Sequence, residues 1–296
     1  MSSLISNMPK VRGKLSVNAD IASSSWFKVG GPAEVLYEPA DEIDLIDFMA
    51  NLDPEIPILV IGALSNMLIR DGGVRGVVIK LGKFFKDIKL LNNQLLVGAN
   101  IHNMMLAKYA KNNDFIGYDF LSGIPGTLGG SIKMNAGCYG KEMSDIVIKV
   151  KIIDRFNGPL IMSVKDLNLK YRESNLPNEA IITSAYLKAN MENKYNANIS
   201  IDIKNKRLKS QPITELTGGS TFKNPSGYKA WELIDKAGCR GLSVGGAKIS
   251  EMHTNFIINF NNATAKDIET LGNEVIKKVF NNSGITLDWE VLRVGF

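Results

Sequence analysis

The sequence is poor in the residues that metal centres and disulfide scaffolds require. It has two cysteines, Cys138 and Cys239, about a hundred positions apart, and two isolated histidines, His102 and His253. Neither pair has the spacing of a zinc knuckle, a haem-attachment motif or an iron–sulfur loop. Those classes are excluded, no metal is expected, and both thiols are read as reduced and structural. Long apolar runs are missing as well: Ile56–Gly62 contains Pro57 and is far too short to span a bilayer. Residues 1–20 show no apolar block followed by a small-residue cleavage site, so no secretory signal is expected and the cytoplasm is the expected compartment. Charge of one sign is not concentrated either. The net charge of +5 is scattered along the chain, with no Lys/Arg stripe interleaved with aromatics. That balance suits an anionic small molecule, and neither nucleic acid nor membrane is expected as a partner.

What is present is a globular composition, with 45% hydrophobic and 22% charged residues, on a chain long enough for two or three domains. Short β-branched runs alternate with helical patterns. Strands are expected at Ala33–Glu38, Ile58–Ile61, Val77–Leu81, Ile88–Leu91, Leu95–Val97, Ile146–Asp154, Ile181–Lys188 and Asn255–Asn259. Asp41 is placed to cap a helix whose apolar face is Leu45, Ile46, Met49 and Leu52; further helices are expected at Asn103–Lys111 and Trp231–Lys236. Lys194–Gln211 is polar and basic and reads as a helix or linker. The last helix is strongly amphipathic: Ile268, Leu271, Val275, Ile276, Val279 and Phe280 share a face, Thr264 caps it and Gly284 stops it. The fold class is α+β, dividing near residue 205.

Chemistry is concentrated in glycine-dense segments that follow strands. In Ile61-Gly62-Ala63-Leu64-Ser65-Asn66, glycine allows close backbone approach to a ligand and successive turn amides are able to nest a pyrophosphate. It is not a GxGxxG unit, because no helical pattern follows directly. From Ser122 to Gly137, six of sixteen positions are glycine or proline, and a loop of that length inside a compact domain points to ligand binding. Three further stretches, Tyr171-Arg172-Glu173-Ser174, Gly218–Pro225 and Trp289-Glu290, are nondescript singly. Nothing forms a Ser/His/Asp triad, since His102 and His253 lack partners in sequence.

In this order and spacing the segments resemble the UDP-N-acetylenolpyruvoylglucosamine reductase (UDP-N-acetylmuramate dehydrogenase) family. The markers are Val29-Gly30-Gly31-Pro32, Gly62–Asn66, Ile124-Pro125-Gly126, Asn135-Ala136-Gly137, Tyr171-Arg172, Gly219–Pro225 and Trp289-Glu290-Val291. The resemblance implies a vanillyl-alcohol-oxidase/PCMH-type FAD-binding fold of two α+β subdomains, followed by a C-terminal α+β substrate-binding domain. The implied division is an N-terminal segment 1–25, an FAD-binding domain 26–205 (subdomains about 26–90 and 91–205) and a substrate domain 206–296. It implies FAD bound non-covalently, as no histidine occupies either glycine-rich loop, with NADPH as co-substrate, a UDP-sugar as substrate and a monomeric protein. Flavin N5 would supply hydride and Ser220 a proton, with Arg172 and Glu290 as the other catalytic residues. The cofactor-binding residues implied are Gly62, Ala63, Leu64, Ser65, Asn66, Gly123, Ile124, Pro125, Gly126, Gly130, Asn135, Ala136 and Gly137; Lys223, Asn224 and Tyr171 are assigned to substrate. There are two departures. Leu64 stands where the family usually has a small residue, often glycine. Only 48 positions separate Arg172 from Ser220, too few for the tyrosine-bearing loop of the longer class, so the chain resembles the shorter one, with Tyr139 and Tyr228 as candidates to cover the nucleotide. The alternative is another non-covalent FAD-dependent oxidoreductase of the same fold.

Overall fold

The computed structural model describes residues 4–191 and 198–296 and consists of two compact units. The first comprises Met1–Ala19, Glu34–Ala63 and Gly76–Asn205. One of its sheets has the strand order Lys14–Ala19, Ala33–Glu38, Val74–Lys80, Ile58–Ile61, and the last two run parallel with Ile58 opposite Val77. The Glu42–Asn51 helix begins where expected: the Asp41 carboxylate accepts the Asp44 N–H (2.9 Å) and pairs with the Arg12 guanidinium (2.5 and 2.7 Å). Its i, i+3, i+4 face buries Leu45, Phe48 and Met49. The second sheet is antiparallel, in the order Gly158–Ser163, Val147–Asp154, Ile181–Lys188, Gln94–Gly98, Ile88–Leu91. Its Asn92-Asn93 hairpin is left-handed at both residues (φ 44° and 61°), a conformation that asparagine tolerates better than most side chains. A single apolar core, including Val35, Leu45, Val77, Val97, Val150 and Ala185, joins the two sheets.

The second unit comprises Asp20–Ala33, Leu64–Arg75 and Lys206–Phe296. Its sheet has the order Thr217–Ser220, Phe256–Asn259, Ala247–Ile249, Ser243–Val244, and a separate parallel pair joins Met67–Ile69 to Leu292–Val294. The Ala265–Ser283 helix lays Ile268, Leu271, Val275 and Val279 into this unit's core. Its start is fixed twice over. Thr264 and Asp267 form a capping box, and the Asp71 carboxylate accepts the N–H groups of Ala265 (2.9 Å) and Lys266 (3.0 Å). Gly284 ends it in the left-handed conformation, φ 71°.

Phe280 departs from expectation. It is 53% exposed, because successive residues turn by about 100° and position 280 has rotated to the edge of the apolar stripe. The glycine-rich Ser122–Gly137 stretch contains a short helix at Leu128–Lys133, and Gly137–Cys138 pairs with Lys141–Glu142 in a hairpin. A helix spans Asn198–Ser210 inside the polar 194–211 stretch, and residues 194–197 lie outside the described residues. Among the described residues, no helix is long and apolar enough to cross a membrane, and no cluster of His, Cys, Asp or Glu suits a metal ion.

Candidate active site

In the first unit, Tyr171 and Arg172 are the central residues of a tight turn in which Lys170 and Glu173 exchange backbone hydrogen bonds (3.0 and 3.2 Å). Arg172 is left-handed, φ 58°, at the turn position that favours glycine. An arginine there costs about 1–2 kcal/mol of backbone strain, and such strain is found where a side chain must be presented in one direction. The Asn135-Ala136-Gly137 segment holds this turn. The Asn135 amide donates to the Lys170 carbonyl (3.1 Å), and its oxygen accepts the Ser144 N–H (3.0 Å). The Gly137 carbonyl accepts from the Arg172 guanidinium (3.3 Å), which also lies 4.8 Å from the Tyr171 ring centre. Tyr171 itself is exposed. Asn135, read from sequence as a cofactor residue, thus spends both ends of its side chain on the protein around Arg172.

Ser220 and Glu290 belong to the second unit, where backbone pairing sets their segments side by side. Ser220 ends the Thr217–Ser220 strand opposite Phe256. The next carbonyl, that of Thr221, accepts the N–H of Glu290 (2.8 Å), and the Lys223 N–H donates to the Asp288 carbonyl (2.8 Å). The Asn66 amide donates to the Glu290 carbonyl (3.1 Å), so part of the loop read as a flavin site also fixes the backbone of a proposed catalytic carboxylate. Two residues not singled out from sequence complete this frame. Buried Asn255 accepts the Phe222 N–H (3.0 Å) and donates to the Phe222 carbonyl (2.9 Å), clamping the strand extension that follows Ser220. Gly272, in the middle of the long helix, lets the Trp289 indole lie against it: a Cβ there would fall under 3.0 Å from Cζ2 and Cη2. Trp289 also packs on Phe222 (5.2 Å) and under the Arg293 guanidinium (4.6 Å). A lone glycine inside a strongly amphipathic helix was the available sequence signal for it. Asn224 accepts the Ala230 N–H (2.9 Å) at the start of the Ala230–Lys236 helix. Tyr228 is exposed, and His253 packs edge-on to Phe256 (4.8 Å), its pKa lowered by burial.

The glycine-rich segments of the first unit line a partly open pocket. Gly62, Thr127, Gly129, Gly130 and Lys133 form part of its wall, and Ala99, Leu176, Ala180 and Ile182 supply apolar surface. At Gly62 there is room for nothing larger, because a Cβ would meet Thr127 Oγ1 at 2.5 Å, whereas a Cβ at Gly130 would meet only that atom, at 3.6 Å. Buried Asn103 braces the loop above, donating to the Ile124 carbonyl (3.2 Å) and Ser131 Oγ (2.7 Å), while its N–H bonds the Gly126 carbonyl (3.1 Å). Gly126 is left-handed, φ 114°, and a Cβ at Gly123 would press on Cys138 Sγ at 3.0 Å. Glycine-faced backbone, an apolar wall and a cation suit a ligand that joins a flat ring to an anionic group, which is the chemistry of FAD. Gly62 and Ala63 belong to the first unit, and Leu64, Ser65 and Asn66 to the second. Leu64 is left-handed, φ 52°, and buried, so the position where the sequence carries leucine in place of a small residue does take the conformation that glycine favours.

Comparison with known proteins agrees with these features. Residues 33–161 match a family described as an FAD binding domain, and residues 211–294 match the C-terminal domain of UDP-N-acetylenolpyruvoylglucosamine reductase. Two relatives bear the name UDP-N-acetylenolpyruvoylglucosamine reductase. That from Rickettsia typhi is 47% identical over 98% of this chain and 99% of its own length; that from Azorhizobium caulinodans is 46% identical over 99% and 95%. The crystal structure of UDP-N-acetylenolpyruvylglucosamine reductase from Thermus caldophilus superposes with a TM-score of 0.81 at 31% identity, covering 97% of this chain and all of that one. The fold is therefore the FAD-binding α+β fold of the vanillyl-alcohol-oxidase/PCMH type with a C-terminal α+β unit. From its glycine-lined cavity to its paired Ser220 and Glu290 segments, the chain belongs to the UDP-N-acetylenolpyruvoylglucosamine reductase family.

Proposed function

We propose that this chain reduces the enolpyruvyl group of UDP-N-acetyl-3-O-(1-carboxyvinyl)-glucosamine to give UDP-N-acetylmuramate, with non-covalent FAD as cofactor and NADPH as the source of electrons. The observation that carries this reading is the backbone pairing of Glu290 with Thr221, next to Ser220. FAD, held by the glycine-rich segments of this chain, would supply hydride to the terminal vinyl carbon of the substrate, with NADPH as the source of that hydride. Charge then builds on the adjacent carbon and its carboxylate, and Arg172 is assigned to stabilise it, since a guanidinium is always charged and presents a planar fork to a carboxylate. Ser220 is assigned the proton delivered to the carbon that carries the sugar oxygen. Glu290 is assigned to the substrate carboxylate, as orienting group or as donor when protonated. Lys223, Asn224 and Tyr171 are assigned to substrate, and Gly62–Asn66, Gly123–Gly126, Gly130 and Asn135–Gly137 to the cofactor.

The division proposed is an N-terminal segment 1–25, an FAD-binding domain 26–205 and a substrate domain 206–296; the matched stretches 33–161 and 211–294 support it. This activity would supply a peptidoglycan precursor, and through it cell shape and division, from a cytoplasmic monomer. The test is NADPH oxidation by the purified protein with and without the enolpyruvyl sugar nucleotide, with the product weighed by mass spectrometry. Oxidation that depends on the sugar nucleotide, with a product heavier by two hydrogens, is expected. Oxidation indifferent to it would transfer the chain to another flavin-dependent reaction.

A further inference from the structure

Among the described residues, Lys133 is the one cation lining this pocket of the first unit, and neither sequence motif nor proposed mechanism uses it. It ends the Leu128–Lys133 helix, and its carbonyl accepts a hydrogen bond from Ser174 Oγ (2.6 Å), which anchors the backbone from which the side chain leaves. Among the described residues, no carboxylate or other partner meets its ammonium. Lys133 is exposed at its outer side, while the protein packed along it holds its pKa below the ordinary lysine range, with desolvation as the cause. Apart from the Thr127 hydroxyl and glycine backbone, the remainder of the wall offers no charged partner. Val60, Ile61, Leu81, Ala180 and Ile182 are apolar, and the Asn100 amide is spent on the carbonyls of Leu81 and Gly82. A lysine on the wall of a glycine-lined pocket, without a counter-ion among the described residues, is placed to meet an anionic ligand. Gly62 and Gly130 line the same cavity, so backbone is also open to close approach there.

We propose that Lys133 binds the diphosphate of FAD, with the adenosine end of the cofactor on the apolar wall formed by Leu81, Ala180 and Ile182. The inference rests on the flavin reading and adds to it a residue that no glycine motif identifies. Lys133 is a binding residue rather than a catalytic one, so its removal acts on cofactor retention.

The experiment dilutes purified holoprotein and follows release of FAD by its fluorescence, for wild type, Lys133→Met and Lys133→Arg, over a series of potassium chloride concentrations. A charge-assisted contact of this kind predicts FAD affinity about 10- to 100-fold weaker in Lys133→Met. Lys133→Arg should stay within about 3-fold of wild type, because the charge is kept. Wild-type affinity should fall with salt more steeply than that of Lys133→Met, since only the former carries the screened attraction. Equal retention and equal salt dependence in wild type and Lys133→Met would overturn the proposal. So would unchanged FAD retention with a raised KM for NADPH, which would move Lys133 to a phosphate of the dinucleotide substrate. A wild-type protein that binds no FAD at all would overturn the flavin reading together with this one, and is told apart from a loss confined to Lys133→Met.

Discussion

Replacing Gly272 with alanine sets local helix propensity against tertiary packing, and the two predict opposite signs. In a helix interior, alanine is favoured over glycine by about 1 kcal/mol, so propensity alone predicts a more stable protein. The structure predicts the reverse. The new methyl would fall under 3.0 Å from two carbons of the Trp289 indole. That ring is rigid and packs on Phe222 and on the Arg293 guanidinium, so displacing it gives up both contacts. Overpacking of this kind costs about 1–3 kcal/mol. With two ring carbons that close, the upper part of that range applies, and the net effect is a loss of about 1–2 kcal/mol. Trp289 is followed directly by Glu290, whose N–H and carbonyl are bonded to Thr221 and Asn66, so displacement of the ring strains the segment that carries the proposed carboxylate. Stability is read from denaturant midpoints, and function from the rate at which enolpyruvyl substrate reoxidises reduced flavin. The expected outcome is a lowered midpoint and a slowed reoxidation, with reduction by NADPH unaffected. A variant that is more stable by about 1 kcal/mol and reoxidises normally would refute the role given to this glycine.

The other predictions follow from single residues. Ser220→Ala should retain FAD and be reduced by NADPH while the substrate half-reaction slows by about 10²–10⁴-fold; normal turnover would remove Ser220 from the mechanism. Arg172→Gly should stay within about 1 kcal/mol of wild-type stability, because relief of left-handed strain offsets the added chain entropy, yet lose substrate turnover; Arg172→Lys should also be impaired, as a point charge does not replace a fork. Leu64→Gly removes strain worth about 1 kcal/mol but empties a buried leucine site worth about 2–5 kcal/mol, so denaturation should show a net loss; a gain would mean that the backbone term dominates. Asp41, held at a pKa of about 2 chiefly by its hydrogen bond from Arg12, stabilises the fold fully above the ordinary aspartate pKa near 4 and loses that contribution as pH falls toward 2. Asp41→Asn should flatten the acid limb of a circular-dichroism titration over that window, and an unchanged limb would contradict the assignment.

Elements defined by local chemistry were legible in the sequence. The Asp41 cap, the Thr264 cap with its Gly284 stop, and the Asn92-Asn93 turn each depend on residues close in the chain, and all three stand as expected. What escaped depends on distant partners. The Ser243–Val244 and Ala247–Ile249 strands are too short to show a period, and the parallel pairing of Met67–Ile69 with Leu292–Val294 joins opposite ends of the chain. Asp71 caps a helix almost two hundred residues away, which no local pattern signals. The candidate site divides in the same manner. Arg172, Ser220 and Glu290 stand out only through the ordered resemblance, since no local chemistry marks them. The residues that hold their segments in place, Asn135, Asn255 and Gly272, became visible in that role only through their contacts.

The most direct test of the account is an anaerobic double-mixing stopped-flow experiment at the flavin absorbance. NADPH is added first and the enolpyruvyl sugar nucleotide second, to wild type and to Ser220→Ala. The account predicts bleaching by NADPH in both proteins, rapid recovery of colour on addition of the sugar nucleotide in wild type, and recovery slowed by orders of magnitude in Ser220→Ala. Bleaching with no recovery in the wild-type protein would contradict the assigned substrate, and the absence of any flavin signal would contradict the cofactor on which the whole reading depends.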